Sequence, residues 1–178
     1  MLNTISGMLS GGVAPTDFES IQTVTLGSAQ SSISFTSIPS TYTHLQIRLL
    51  AATSVADRFF KMQYNSDTAT NYNSHYLTGD GSTASSGAAT SAAWVTAGFG
   101  PNSTTFFGVS VVDILDYKDT NKFKTNRNLE GADMNGAGGY VGMSSGCWRS
   151  TSAITSITLT PSSGNFNQYS SFALYGIK

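Results

Sequence analysis

The sequence predicts an all-β fold: an antiparallel β-sandwich, of jelly-roll type, with a short N-terminal arm. Three observations predict it. β-Branched and aromatic residues recur in short runs parted by Gly, Ser, Asn and Asp, while helix-period patterns are almost absent beyond residue 12. Several of these runs alternate apolar and polar residues with period two, the mark of strands with one dry face. Charged residues make up only 11% of the 178, far below the usual quarter, and Ser, Thr, Asn and Gly fill the deficit.

Residues 1–17 are expected to form an anchoring arm and hinge, and residues 18–178 a single sandwich domain. In the arm, Met1, Leu2, Ile5, Met8 and Leu9 fall at helical spacings and would form one apolar stripe. A helix of that length is marginal alone. It is also too short for a bilayer, which takes about 20 apolar residues, and it lacks the basic n-region of a secretory signal. Gly11, Gly12 and Pro15 supply the hinge. The arm therefore reads as a partner-binding segment, ordered by what it docks on.

Strands follow in order. IQTVTL (21–26) and ISFTSI (33–38), joined by GSAQSS, read as a hairpin. THLQIRLL (43–50) sets Leu45, Ile47 and Leu49 against His44, Gln46 and Arg48, so those three polar residues are expected on a face that meets a partner or solvent. FFKMQY (59–64) repeats the alternation, with Phe60, Met62 and Tyr64 inward. Residues 65–90 read as a long loop, partly packed through Tyr72 and Tyr76. After AAWVTA, the run 104–117 is apolar at both parities and is expected to be a central strand buried on each side. KDTNK turns it into FKTNRNLEG, a second hairpin. Glycine-dense NGAGGYVGMSSGCW allows one thin strand near Tyr140–Met143. AITSITLT (153–160) and YSSFALYGIK (169–178) complete about eight strands.

Charge and cysteine content exclude several classes of function. A net charge of −1 gives no electrostatic footprint for phosphates, so no nucleic-acid partner is expected; with the arm too short to span a bilayer, no membrane partner is expected either. The single cysteine, Cys147, rules out an intrachain disulfide and a multi-cysteine zinc site, and beside Trp148 it reads as a small buried hydrophobe. Gly142-Met143-Ser144-Ser145-Gly146 matches the G-x-S-x-G nucleophile elbow, but that motif needs a strand-to-helix turn and a later histidine. Both histidines, His44 and His75, precede it. Asp116, Asp119 and Asn121, like Asn65 and Asp67, offer oxygen ligands without EF-hand spacing, and turn chemistry explains both runs. Asp113 and Asp116 diverge across a strand and do not pair. The expectation is a protein without enzymatic activity, cofactor or metal. Trp94, Trp148 and the tyrosines leave sugar stacking open.

SSISFTSIPSTYTHLQIRLLA, VVDILDYKDTNKFKT and AITSITLTPSSGNFNQYSSFALYGIK resemble, in that order, strand patterns of a family of small structural proteins of tailed bacteriophages. The resemblance covers most of residues 18–178 and supplies no catalytic residues. It implies a virion protein, assembled in the host cytoplasm: foremost a capsid cement or decoration protein. Such a protein would bind the major capsid protein and copies of itself, as a homotrimer. The alternative is a tail-fibre or baseplate protein whose sandwich binds a host glycan through Tyr and Trp side chains of residues 65–99.

Overall fold

A computed structural model describes residues 17–56 and 59–178. The arm residues Met1, Leu2, Ile5, Met8 and Leu9 lie outside the described residues. The described chain is all-β, without a helix, and forms two antiparallel sheets packed face to face as a β-sandwich. In chain order its strands are β1 (Phe18–Thr25), β2 (Ile33–Phe35), β3 (His44–Ala51), β4 (Phe60–Tyr64), β5 (Tyr72–Gly79) and β6 (Ala84–Ala92). They continue with β7 (Val95–Gly98), β8 (Gly108–Leu115), β9 (Lys124–Asp133), β10 (Gly139–Trp148), β11 (Ile157–Pro161) and β12 (Ser171–Ile177).

The wide sheet has the order β1-β12-β3-β8-β9-β10-β5-β6, and the narrow sheet β2-β11-β4-β7. An eight-against-four partition establishes a sandwich but does not by itself establish jelly-roll winding. The core between the sheets draws Leu45, Ile47 and Leu49 from β3, Phe172 and Leu174 from β12, and Phe60, Met62 and Tyr64 from β4. Period-two alternation in β3 and β4 thus points as expected.

Five expectations are corrected. The segments 21–26 and 33–38 do not form a hairpin: β1 pairs with β12, and β2 crosses to the other sheet to pair with β11. A six-residue link is long enough to change sheets, and Leu26 and Ile33 both end buried in the shared core. Residues 65–90 are not a loop. They contain β5 and most of β6, a hairpin closed at Asp80, whose Oδ1 accepts from the backbone N–H of Ser82 and Thr83. The thin strand near Tyr140 is the ten-residue β10, paired on both sides. Finally, β8 is central but one-sided: Val112 and Ile114 are buried, whereas Val109, Val111 and Leu115 face outward. Cys147 is likewise only half-buried, because it shares the outward parity of β10 with Val141 and Met143.

The narrow sheet covers the wide one incompletely, and β7 is its free edge, buried over its whole length. A buried edge strand carries backbone groups that no neighbouring strand can satisfy. Side chains of the wide sheet take that role. Asn128 Nδ2 donates to the Thr96 carbonyl at 2.7 Å, Ser110 Oγ to the Ala97 carbonyl at 2.9 Å, and the Tyr140 hydroxyl to the Phe99 carbonyl. The Thr96 N–H donates in turn to Ser74 Oγ at 3.3 Å.

Close approach of β7 to the wide sheet requires glycine at 146. A Cβ there would sit 1.8 Å from Val95 Cγ2 and 2.6 Å from Asn126 Oδ1. Gly146→Ala is expected to lower stability by about 1–3 kcal/mol through overpacking. Adding Val95→Ala should recover part of the loss, the approach to Asn126 Oδ1 remaining, as read by urea unfolding of the single and double variants.

Candidate functional site

Strand β9 inverts the usual rule. Its inward residues are Lys124, Asn126, Asn128 and Glu130, all buried, while Leu129 faces water. Inside, a directed chain of hydrogen bonds runs from Asn126 Nδ2 to Asn128 Oδ1 (2.9 Å), from Asn128 Nδ2 to Ser144 Oγ (2.9 Å), and from Ser144 Oγ to Glu130 Oε2 (3.4 Å). Glu130 is only 2% exposed, and its Oε1 has no hydrogen-bond partner among the described residues. Burial pushes its carboxyl up from 4.5 to about 7, opposed by the Ser144 hydrogen bond. Lys124, at the start of the strand, spends its ammonium on the carbonyls of Asp119, Lys122 and Thr151. Both roles are structural, locking the β7 edge and the β8–β9 turn.

Polar residues inside leave apolar ones outside. On the outer face of the wide sheet one row crosses Arg48, Val111, Leu129, Met143 and Leu77. The adjacent row crosses Leu50, Val109, Gly131, Val141 and Gly79. Exposure of the large apolar members runs from 36% at Val111 to 63% at Val141. Five strands and two rows make a patch of about 19 by 7 Å between backbone positions, before side-chain width is added. The outer face of the narrow sheet offers the contrast: there Ser34, Thr158 and Gln63 form one row and Lys61 and Thr160 another. A contiguous apolar patch on an exposed sheet face marks a candidate contact surface.

A polar row borders the patch. Gln46 Nε2 donates to Asp113 Oδ1 at 2.8 Å, Arg127 Nε to Asp113 Oδ2 at 3.1 Å, and Arg48 Nε to Gln46 Oε1 at 2.9 Å. The Arg48 guanidinium also lies over the rings of Phe18 and Tyr175, at 4.9 and 5.0 Å. Thus Gln46 and Arg48 sit on the outward face and rim the patch. His44 stands apart, at the strand end, where its Nδ1 accepts from the Asp116 N–H at 2.9 Å and the ring is about a third exposed.

A second concavity opens at one end of the sandwich, with a volume of about 300 Å³. Its floor is Phe59, Tyr76, Phe99 and Tyr140, whose ring centroids lie 4.8 to 6.4 Å apart along successive contacts. Thr78, Asp80, Thr83 and Ser85 of the β5–β6 hairpin and Asn102 supply its polar wall. Of the two tryptophans, Trp94 stays near this end, 6.4 Å from Phe59, with Lys61 over its ring. Trp148 is core, its Nε1 donating to Asp67 at 2.7 Å.

The other candidates read from the sequence find different places. Ser144 lies mid-strand on the inward face, whereas His75 pairs opposite Ser145 and His44 shares the outward parity, so neither histidine stands on the side of the Ser144 hydroxyl. Asp116 and Asp119 are bridged by Lys122, whose Nζ is 2.5 and 3.5 Å from their carboxylates and helps hold the Asp116 carboxyl below its ordinary range. Asn65 caps the 153–156 segment, its Oδ1 accepting from the N–H groups of Thr155 and Ser156. Leu77, Leu129, Val141 and Met143 were not foreseen as site residues. Their one available signal was alternation with Gly, Ser and Asn in NLEG and YVGMSS.

No family model, no curated protein and no solved structure matches this chain.

Glu130 makes stability depend on pH with a defined sign. Its carboxyl holds a proton in the folded protein up to about pH 7 and in the unfolded chain only to about 4.5. The contribution of this group to folded stability, about 3 kcal/mol, is therefore fully present below 4.5 and is lost as pH rises through 7. Glu130→Gln should flatten that part of the curve, as followed by denaturant midpoints between pH 5 and 8 (roughly the window set by the two values).

Proposed function

We propose that this protein is a non-enzymatic structural subunit of a tailed-bacteriophage virion, acting as a head decoration protein. The single observation that carries the reading is the apolar outer face of the wide sheet, set against a polar outer face on the narrow one. A part of this kind needs contact area rather than chemistry. Seated on the major capsid protein, Leu77, Leu129, Val141 and Met143 would lose water, at about 25 cal/mol per Å² of apolar surface. The rim residues Arg48, Asp113 and Arg127 carry both signs and would set orientation more than affinity. Residues 1–9, with their apolar stripe, would add a second attachment, and neighbouring copies would meet as trimers around the capsid site. The resemblance of the strand patterns to phage structural proteins supports the same assignment.

The end concavity favours a second reading, a tail-fibre or baseplate protein that binds a host glycan. Four aromatic rings beside hydroxyl and amide side chains suit a sugar ring, apolar on its faces and polar at its edge.

Copy number separates the two. A count on the order of hundreds per virion supports decoration of a whole capsid surface, and a few dozen or fewer supports the tail. Leu129→Lys with Met143→Lys should leave the melting temperature within a few degrees, because both side chains are solvent-facing, and should abolish attachment to capsids lacking the protein. Retained occupancy would overturn the outer-face assignment. Under the glycan reading, Tyr76→Ala should instead abolish binding to host-surface polysaccharide while incorporation into the tail stays intact.

A further inference from the structure

The two sheets present four edges, and among the described residues three are protected. Strand β2 is only three residues long. Strand β7 is buried, its carbonyls capped by Asn128 and Ser110. Strand β1 is bulged between Ser20 and Gln22 and carries Glu19, tied to Lys178 at 2.5 Å. The fourth edge, β6, has none of these devices over most of its length. It pairs with β5 in unbroken register from Ala84 to Ala89, and only beyond that does a register shift, with Ser91 at φ 52°, blunt it. Its sequence there, ASSGAA, holds no charge and no proline, and no charged residue occurs anywhere between Asp80 and Asp113. Proteins that remain single at such an edge place lysine, proline or a bulge on it.

We propose that β6 pairs, antiparallel, with β6 of a second copy of this chain, joining two wide sheets through their backbones. Every second residue of an edge strand turns its N–H and C=O away from the strand behind it, so among the described residues Ala84–Ala89 presents a row of donors and acceptors that no other strand takes up. The complement of that row is another strand of the same kind. A second copy fits because the pairing is isologous, each strand presenting to the other the same spacing of donors and acceptors. Charge allows it: two copies of Ala84–Ala89 brought together oppose no like charges. Shape allows it too. Ala84, Ser86 and Ala88 on the outward face are small and exposed, and on the inward face the Tyr76 ring lies over Gly87, where a Cβ would come within 2.4 Å of the hydroxyl. The apolar rows that pass through Leu77 and Gly79 end on Ser86 and Ala84. Pairing at β6 therefore brings the outer faces of two copies into one surface without using that surface. This inference is independent of which virion site, if any, the face occupies.

The test uses the full chain at low and high micromolar concentration, with sedimentation velocity for mass and hydrogen exchange for the strand. At high concentration the mass is expected to double or to be a multiple of the doubled unit, and amide exchange within 84–89 to slow by at least about tenfold relative to the dilute sample. Ser86→Lys with Ala88→Lys should abolish both effects while leaving the melting temperature of the dilute protein unchanged. Leu129→Lys with Met143→Lys should leave both in place, which separates edge pairing from contacts of the outer face. Fast exchange over 84–89 at every concentration overturns the proposal. So does a dimer that survives the two edge lysines, because another surface then holds it.

Discussion

Everything at the β9 end of this sandwich depends on one unmet requirement: the free edge of the narrow sheet is buried. Four strands cannot cover eight, and β7 ends up against the interior of the wide sheet with no strand beyond it among the described residues. A buried carbonyl left without a donor costs on the order of 1–3 kcal/mol. Asn128, Ser110 and Tyr140 remove that cost at Thr96, Ala97 and Phe99, and Asn126, Ser144 and Glu130 are the polar company that Asn128 keeps. The interior is dry and apolar around β3, β4 and β12, and hydrogen-bonded around β7, β9 and β10.

The inversion on β9 and β10 propagates outward because a strand has only two faces. Once Asn126, Asn128 and Glu130 claim the inside, Leu129 is outside by parity; once Gly142, Ser144 and Gly146 claim it on the neighbouring strand, so are Val141 and Met143. Strands β8 and β5 extend the same rows through Val109, Val111 and Leu77. The apolar patch is thus the other side of the edge-capping device, and one set of side chains cannot be altered in parity without the other.

How much of this was legible follows from where the periodicity had a sign. THLQIRLL and FFKMQY put large apolar residues on one parity and polar ones on the other, so both faces could be assigned. In FKTNRNLEG the alternation existed, but its inward members are the polar ones, and nothing local shows that they cap a strand about thirty residues away in sequence. Residues 84–92 lacked any signal, because Ala, Ser and Gly have too little side chain to mark a face. The doubly apolar run at β8 reads as burial on both sides, the commoner fate of such a run, yet Val109, Val111 and Leu115 face outward, because nothing local marks one of two apolar faces as exposed. Gln46 and Arg48 were readable as outward residues, whereas the patch beside them was not, since its members come together only through register across five strands.

The place of β12 carries a consequence for biosynthesis. It lies between β1 and β3, pairing with both, although nearly the whole described chain separates it from β1. As the chain leaves the ribosome, β3 can acquire β8 on one side, but its other side and the whole of β1 have no strand to pair with until β12 has been made. The two earliest strands of the wide sheet therefore wait for the latest, and Phe18, Val24 and Leu49 stay wet in the interval. Contacts this distant in sequence make closure slow. A nascent chain stalled before residue 171 would hold an open seam in the middle of its larger sheet, a form that a holdase chaperone is suited to shield.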